Sequence, residues 1–530
     1  MRWCIWFIVL VMACRPGQME LTSGQPITLS TKALLDTVQE ATFRYFWDFA
    51  HPVSGLIPER TSTPEVVTSG GSGFGIMCLV VGVHRGWITR QEGIARLQKI
   101  IQFLAKCDRF HGAWPHWING RTGQVVPFSK HDDGGDIVET SYLINGLLMA
   151  QSYFTGDNQE EKRLHADIQL LWESVEWDWY TQGTDDKLYW HWSPTYGWKM
   201  NFAIGGFNEC LITYILALAS PTHPIDSMVY QSCWRGGKEF NTPRDYVGYH
   251  LDLGFPYGGP LFFAHYSFLG LNPKEMQDDR TFYWRHNVTH TLINRTYCMD
   301  EAPVYFQYSP ENWGLTASDD YYGYGAHNPA GDNGTIAPTA ALSSFPYTPY
   351  YALQAMRYFY PLTDSLWGPF GFRDAFSLYD RWFSPQYLAI DQGPIVVMIE
   401  NYRSGLPWSL FMSREDVQRG LRQAGIHSPQ PKTGFAYAVR EKRNYSVDLI
   451  RHPDRDTYEV ELFIQPSSGP LTLDLLGWLG EGQKRIWDNY TPTDGYLRLD
   501  LGPDLSPGVH NLSLQADGEV IDWLKIVVRE

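Results

Sequence analysis

Glycine-rich positions recur along the whole chain, and this repeat is the feature that most limits the fold. Segments that are apolar on nearly every side follow most of them, at 74–83, 137–150, 210–219, 261–269 and 395–399. All-round hydrophobicity is typical of a buried helix or, for the shortest segment, of a strand. The glycine positions are Gly70-Gly71, Gly134-Gly135, Gly205-Gly206, Gly258-Gly259, 331–334 and Gly393-Pro394.

Amphipathic segments lie between the apolar ones. Their apolar residues step by three or four, which predicts outer helices with one buried face. A regular alternation of buried and half-buried helices indicates hairpins around a common axis. Six glycine positions therefore predict a mainly α fold, an (α/α)6 barrel over residues 31–427 with its ligand face at the glycine loops. The stepping residues are Ile94, Leu97, Ile101 and Leu104, then Leu164, Ile168, Leu171 and Val175.

The pattern changes near residues 427–431, where two prolines interrupt the chain. Beyond them the apolar residues alternate with period two, as in Val460, Leu462 and Ile464. That alternation predicts a small antiparallel β-sandwich domain over residues 432–530. Its role is either structural, which we favour, or carbohydrate binding.

The chain begins like an exported bacterial protein. Residues 1–13 carry an apolar run of signal-peptide length, and Val11-Met12-Ala13-Cys14 resembles a lipobox. We therefore expect cleavage before Cys14, lipid attachment to its thiol, a linker over 14–30, and a periplasmic or outer-membrane lipoprotein that contacts the membrane only through its anchor. An ordinary secretory signal is the alternative. The other five cysteines outside this leader lack disulfide or metal spacing and are expected to be buried.

Composition narrows the class of ligand. The chain has 58 acidic and 42 basic residues and a formal charge of −16, so it lacks the footprint of a nucleic-acid binder. It also holds 21 Trp, 32 Tyr and 27 Phe. Aromatic rings suit a neutral ligand with flat apolar faces, which favours a sugar.

One acidic cluster stands out as a candidate for chemistry. Asp132, Asp136 and Glu139 are spaced i, i+4 and i+7, so a helix that begins near Asp132 would place the three carboxylates on one face. The helix that follows is almost wholly apolar, and Glu139 should lie deep in it. Helix capping is the alternative explanation; it suits Asp132 or Asp133 well, Asp136 less well and Glu139 hardly at all.

A second glutamate occupies a comparable place. Glu209 follows Gly205-Gly206 as Glu139 follows Gly134-Gly135, so both could face one pocket. Hydrolysis of a glycosidic bond needs such a pair, one carboxylic acid to protonate the leaving oxygen and one carboxylate to activate water. The alternative is a capped or salt-bridged glutamate.

Polar and aromatic residues in the same loops are candidates for substrate binding. No histidine or cysteine pattern indicates a metal site, and no organic cofactor is implied. The candidate binding residues are Arg60, Trp114, His116, Glu311, Trp313, Glu400 and Trp408.

Over roughly residues 30–425 the chain resembles the glycoamylase-like bacterial proteins that include glycoside hydrolase family 144. The resemblance implies an (α/α)6 barrel that acts on β-1,2-glucan with inversion. It also implies that Asp132, Asp136 and Glu139 form the family's acidic cluster and that Glu209 is a separate essential glutamate. The resemblance rests on that cluster and on FRYFW at 43–47, WGLTAS at 313–318, DNGTIAP at 332–338, GFRDAF at 371–376, IDQGP at 390–394 and IENYRSGL at 399–406.

The resulting hypothesis is an inverting β-1,2-glucanase that releases short oligosaccharides such as sophorose. Glu209 is the expected general acid and Asp136 the expected base, although Asp136 and Glu139 could exchange roles. A glucoamylase-type enzyme acting on α-glucan, a polysaccharide lyase and a non-catalytic glycan-binding lipoprotein are the alternatives. Endo or exo action and the oligomeric state are left open.

Overall fold

The computed structural model describes residues 29–362 and 365–429, and beyond them seven separate strands between residues 445 and 528. The predicted leader, Cys14 and most of the predicted linker lie outside the described residues. No helix in the part of the chain so described is long and apolar enough to cross a membrane.

The region before residue 430 is mainly helical. Its α-helices are α1 Thr31–Asp48, α2 Ser69–His84, α3 Arg90–Leu104, α4 Ile137–Tyr153, α5 Gln159–Glu173, α6 Leu211–Ala219, α7 Ser227–Val229, α8 Tyr283–Asp300, α9 Pro338–Leu342, α10 Pro349–Phe359, α11 Ala389–Arg403, α12 Leu406–Met412 and α13 Glu415–Ala424.

Buried segments pack against one another in series. Helix α2 lies between α11 and α4, and α4 lies between α2 and α6. Helix α6 contacts the 3₁₀ turn Ser267–Leu269, which in turn contacts α11, and α9 also packs on α11. Outside this series, α1 packs on α2 and α11, α3 and α5 on each other, α8 on the 3₁₀ turn Leu261–Ala264, and α10 on α9. The series is a helical barrel whose inner wall is formed by the apolar segments of the sequence.

The glycines allow the inner helices to approach closely. A Cβ on Gly73 would lie 2.1 Å from the carbonyl oxygen of Tyr142, and one on Gly146 would lie 2.2 Å from the carbonyl oxygen of Gly73. A Cβ on Gly71 would meet the Cβ of Ala389 at 2.6 Å. Any larger residue at these positions would force the α2–α4 or α2–α11 contact apart.

The close contact between helices explains why two of the glycine pairs lie inside helices and not in the predicted loops. Gly70 and Gly71 lie inside the first turn of α2, and Gly393 and Pro394 lie inside α11, instead of in loops that precede helices. Segment 395–399 is helical, and segment 261–269 forms two 3₁₀ turns instead of one long buried helix.

The amphipathic prediction is confirmed. In α3 the side chains of Ile94, Leu97, Ile101 and Leu104 are buried, as are those of Leu164, Ile168 and Leu171 in α5. The five cysteines predicted to be buried are also free thiols in the interior, namely Cys78, Cys107, Cys210, Cys233 and Cys298.

Short strands connect the helices, most of them as antiparallel hairpins. Strands β1 to β3 form one sheet, and β4–β5, β6–β7, β8–β9, β10–β11 and β12–β13 form pairs. Their bounds are β1 Val66–Thr68, β2 Trp117–Asn119, β3 Val125–Val126, β4 Gly135–Asp136, β5 His191–Trp192, β6 Asn241–Tyr246, β7 Tyr249–Leu253, β8 Ala317–Asp320, β9 Gly323–Ala326, β10 Trp367–Gly368, β11 Gly371–Phe372, β12 Phe376–Ser377 and β13 Trp382–Phe383.

The C-terminal strands form two antiparallel sheets, β14-β15-β18 and β17-β16-β19-β20. The alternating residues Leu471, Leu473 and Leu475 of β16 are buried, as period two requires. The assembly of these sheets into a separate sandwich domain stays a prediction. The strands are β14 Tyr445–Arg451, β15 Tyr458–Ile464, β16 Leu471–Leu476, β17 Gly482–Tyr490, β18 Tyr496–Asp500, β19 Gly508–Ala516 and β20 Glu519–Val528.

Helix α8 is buried around almost its whole circumference although many of its residues are polar. His286 and His290 on this helix, with His265 from the neighbouring turn region, form a buried group of imidazoles. Burial lowers the pKa of His265 and His286 to about 3 and that of His290 to about 4. These rings are therefore neutral in the folded protein at any pH near neutrality.

This group predicts an acid-sensitive fold. Because the pKa of each imidazole is depressed in the folded state, the unfolded chain binds protons first as the pH falls below about 6.5. The stability that this group contributes should be constant above that pH and should fall progressively below it. Protonation of His290 in the unfolded chain should lower the free energy of unfolding by about 2 kcal/mol at pH 5.

Chemical denaturation between pH 7.5 and 4.5 measures this effect. The His290→Gln variant is less stable at neutral pH but should lose less of its free energy of unfolding on acidification. An equal slope in variant and wild type would contradict the assignment of His290.

Candidate active site

Asp136 is the centre of the predicted acidic cluster and is fully buried. It caps α4: its Oδ1 accepts hydrogen bonds from the backbone N–H groups of Val138 and Glu139 at 3.0 and 2.9 Å. The helix therefore begins at Ile137 and not near Asp132, so the prediction of three carboxylates on one helix face is wrong. Helix capping therefore accounts for Asp136, because its carboxylate satisfies two free N–H groups at the start of the helix.

The other oxygen of Asp136 accepts from ring nitrogens. Nδ1 of His116 lies 3.1 Å from Oδ2, and Nε1 of Trp190 donates to it at 3.1 Å. His191, paired with Asp136 across β4 and β5, brings Nε2 to 3.5 Å from the same oxygen. The same nitrogen lies 3.1 Å from Oδ2 of Asp132, which places Asp132 in the cluster although it is outside the helix.

These ion pairs and hydrogen bonds decide which groups of the buried cluster carry a charge. Burial opposes protonation of the two histidines, but the carboxylates around them raise the pKa of each to about 9. For Asp136, burial alone would raise the pKa, yet hydrogen bonds from His116 and His191 hold it well below its usual range. Asp136 is therefore a permanent anion at neutral pH, with all of its acceptor sites engaged.

Glu139 lies one turn into α4 and is also buried. Its Oε2 accepts from the backbone N–H of Gly70 at 3.0 Å and from the Thr68 hydroxyl at 3.2 Å. Burial raises the pKa of Glu139, the His116 imidazolium opposes that shift, and the Asp136 charge adds to it. The contact with Gly70 is possible only for glycine, because a Cβ there would lie 2.2 Å from Oε2.

Glu209 precedes α6 by two residues and is tied to the neighbouring elements through its backbone. Its carbonyl oxygen accepts from the hydroxyls of Tyr142, on α4, and Ser267. Burial, with a smaller contribution from the Glu139 charge, raises the pKa of the Glu209 carboxyl to about 7. The two glutamates predicted to share a pocket thus interact electrostatically.

Among the described residues, His116, Asp132 and Asp136 form a group whose potential metal-ligand atoms lie within 4.8 Å of one another. His116 and His191 are protonated partners of these carboxylates, and a protonated imidazole nitrogen is not a ligand. The residues present therefore suit internal ion pairing better than a metal, and the expectation of no metal stays a prediction.

A second acidic group was missed in the sequence. The backbone N–H of Asp319 donates to Oδ2 of Asp374 at 2.7 Å, and Asp374 is in turn hydrogen-bonded to Asp391 at the start of α11. Burial and the neighbouring charges raise the pKa of Asp374 to about 7 and raise that of Asp391 as well. Arg60, a predicted binding residue, pairs with Asp319 at 2.9 Å and belongs to this group.

One buried side chain connects the two groups. Burial raises the pKa of the Tyr266 hydroxyl, and the charges of Asp391, Glu139 and Glu209 add to the shift. Within the described part of the chain this hydroxyl has no hydrogen-bond partner. Asp374 and Asp391 lie within motifs that resemble the family, but their spacing of 17 residues along a mixed loop-and-strand segment carries no helical or alternating signal.

The three predicted binding tryptophans are buried, and one of them, Trp114, accepts a hydrogen bond from the backbone N–H of Asp136 at 3.0 Å. Trp114, Trp313 and Trp408 have at most 4% of their surface exposed and belong to the core, so they present no ring face to a sugar. The indole N–H groups of Trp114 and Trp408 donate hydrogen bonds to the backbone carbonyl oxygens of Leu104 and Phe268.

The two predicted binding glutamates also lie outside the cluster. Glu311 occupies a turn in which it accepts from Ser309, near Tyr358 of α10. Glu400 is fully buried near the end of α11, where Arg85 donates to both of its oxygens at 2.7 and 3.0 Å. It lies about 14 Å along the helix from Asp391.

Comparison with known proteins identifies the family of the chain. The profile of the glycoamylase family, described as "Putative glucoamylase", matches residues 201–415. A solved endo-β-1,2-glucanase from Chitinophaga pinensis, in complex with sophorotriose and glucose, is 51% identical over 76% of this chain and 99% of its own, with a TM-score of 0.74. The chain belongs to the glycoamylase-like family that includes glycoside hydrolase family 144.

Other members of this family are similar to the chain. A structure described as a putative glucoamylase from Bacteroides uniformis is 54% identical over 76% of this chain and 98% of its own, with a TM-score of 0.74. The exo-β-1,2-glucooligosaccharide sophorohydrolase (non-reducing end) of Parabacteroides distasonis is 45% identical over 427 residues, 76% of this chain. The matched region spans 59% of the length of that relative.

The contact between Gly70 and Glu139 gives a first test of this site. In Gly70→Ala the new methyl group displaces the Glu139 carboxylate, and a misplacement of this size should lower kcat/KM roughly 100-fold. Gly331→Ala is the control, since the nearest atom to its added methyl would be 3.6 Å away. Steady-state kinetics on the protein's substrate checks both, and a Gly70→Ala variant with wild-type activity would contradict the placement of Glu139.

The position of Glu400 gives a second test. Loss of its charge in Glu400→Gln breaks a buried ion pair with Arg85 and should lower the free energy of unfolding by about 2–4 kcal/mol. The KM for substrate should not change, because this carboxylate lies away from the cluster. Urea denaturation and initial rates measure the two effects, and Glu160→Gln, at an exposed position of α5, is the control. A raised KM with unchanged stability would show that Glu400 binds substrate.

Proposed function

We propose that the protein is a glycoside hydrolase that cleaves β-1,2-glucan to short oligosaccharides, with inversion at the anomeric carbon. The proposal is supported by the activities named for the relatives from C. pinensis and P. distasonis. It is also supported by the carboxyl groups of differing proton affinity in the helical barrel. We further propose that this barrel is a complete (α/α)6 barrel and that the C-terminal sheets form a separate β-sandwich domain.

The observation that carries the proposal is the state of Glu209. A carboxyl group with a pKa of about 7 is substantially protonated at neutral pH, and the charge of the buried Glu139 contributes to this shift. A general acid has to hold a proton under working conditions and release it to the leaving oxygen. Glu209 therefore takes the role of the acid.

Glu139 suits the role of the base better than Asp136 does. Every acceptor site of Asp136 is engaged by N–H donors, so it has no free position for a water molecule. Hydrogen bonds from the described residues reach Glu139 only on Oε2. These bonds and the His116 imidazolium favour its anion, which is the form that a base needs.

The reaction then balances as a single displacement. Glu139 accepts a proton from water as the water oxygen bonds to the anomeric carbon, and Glu209 gives its proton to the glycosidic oxygen as that bond breaks. Asp136 and Asp132 hold His116 and His191 as cations, which keeps the positive charge close to the ionised base. The product anomer is the inverse of the substrate linkage.

The same chain is proposed to act at the bacterial cell envelope as a lipid-anchored or periplasmic protein. The support is the sequence of residues 1–14, with its short apolar run and its lipobox-like end. A neutral glucan is the proposed partner.

A substrate panel tests the proposed function. Linear β-1,2-glucan, β-1,3-glucan and starch are offered separately, products are separated by chromatography, and the first anomer is observed by proton NMR. We expect turnover of the β-1,2-linked polymer alone, an α-anomer as the first product, and a kcat/KM that falls above pH 7 as Glu209 loses its proton.

The Glu209→Gln variant is the matched control, with an expected loss of about 10²–10⁴ in kcat. Activity on starch alone would favour the glucoamylase-type alternative. Binding of glucan with no turnover by the wild type would favour the non-catalytic alternative.

A further inference from the structure

Two phenylalanine side chains are unusual for being half exposed beside the buried acidic cluster. Phe128 has 49% of its surface exposed and Phe202 has 53%. Exposed single apolar residues are common on proteins, so exposure alone indicates nothing. What distinguishes these two is how each is fixed to the cluster.

Phe128 is held from two sides. Its backbone N–H donates to the carbonyl oxygen of Asp132 at 2.9 Å. Its ring stacks on that of His116, with centroids 4.3 Å apart and an angle of 29°, and meets Trp117 edge-on at 4.8 Å. One face of the ring is thus occupied by protein while the ring as a whole stays open to solvent.

Phe202 is held in a parallel way on the other side of Asp136. Its carbonyl oxygen accepts from the backbone N–H of Trp190 at 2.9 Å, and its ring lies 5.5 Å from that of Trp190 at 32°. Trp190 donates through Nε1 to Oδ2 of Asp136, the oxygen that His116 also contacts. The order Phe128, His116, Asp136, Trp190, Phe202 is therefore continuous.

We infer that Phe128 and Phe202 are sugar platforms that hold glucose residues of one glucan chain on the two sides of the acidic cluster. The C–H face of a glucose ring is apolar and packs on an aromatic face, which needs no charge and leaves the hydroxyls hydrated. This inference rests on the proposed function and adds to it the residues that grip the chain away from the scissile bond.

The arrangement also explains why both rings are rigidly supported. A platform on a free loop would lose side-chain and backbone entropy when it binds sugar, whereas these two rings are already ordered by stacking and by a backbone hydrogen bond each. A side chain that served only to cover His116 or Trp190 would be expected to be buried by its neighbours.

Chain-length kinetics tests the inference. Phe128→Ala, Phe202→Ala and their double variant are measured on long linear glucan and on the shortest oligosaccharide that the wild type cleaves. Loss of a stacking face should raise the KM for the long chain roughly tenfold per ring, with little change in kcat. The loss should be smaller for the short substrate, which does not reach both platforms.

Two sets of controls separate binding from structural damage. Phe128→Tyr and Phe202→Tyr keep the ring and should restore the wild-type KM. Tyr305→Ala removes an exposed ring that packs on Phe306 and Tyr379, and should leave both substrates unaffected. Equal losses of kcat on long and short chains, or KM values within twofold of the wild type, would overturn the inference.

The proposed function can fail separately. If the wild type cleaves starch or β-1,3-glucan instead of β-1,2-glucan, the same variants are measured on chains of that glucan. A raised KM for the long chains again supports the platforms, and an unchanged KM overturns them. If the wild type binds glucan without turnover, titration calorimetry with the long and short chains replaces kinetics. Loss of affinity for the long chain supports the platforms there, and unchanged affinity overturns them.

Discussion

The carboxylate of Asp136 is the interaction on which the site depends. One of its oxygens accepts hydrogen bonds from the free N–H groups at the start of α4, which sets where this inner helix begins. The other oxygen contacts His116 and the adjacent residues Trp190 and His191, which come from two separate places in the chain. Because a buried anion needs partners to offset its lost hydration, the surrounding loops are constrained to deliver them. The positions of both the helix and the loop aromatics follow from satisfying this one charge.

Proton affinity is divided among neighbouring carboxyls by their contacts. Asp136 accepts four N–H hydrogen bonds, pairs with His191 and stays ionised, whereas burial keeps Glu209 partly protonated near neutrality. Carboxyl groups of the same chemical kind thus differ in proton affinity because their contacts differ. Asp391 and Glu139 both act on the pKa of Tyr266.

Much of the architecture followed from periodicity. Buried faces of α3 and α5 were found because their apolar residues repeat at helical spacing, and Glu209 was found because it follows a glycine pair as Glu139 does. Helix α8 could not be found in that way: His286, Asn287 and His290 are buried there, so its polar residues hide the signal. The glycines marked real features but for a different reason, since Gly71 and Gly73 permit close contact between helices and do not form turns there.

The sequence by itself determined the helical class, the outer helix faces and the identity of the acidic cluster, because these depend on local spacing and on the presence of ionisable groups next to apolar runs. Only the tertiary structure decided which acid is ionised, which tryptophans are core, and that Arg60 and His116 lie with acids while Glu400 does not. The reason is that a pKa and an exposed surface depend on atoms distant in the chain: His191 reaches Asp132 and Asp136 through a strand pair, and Arg85 reaches Glu400 from another helix.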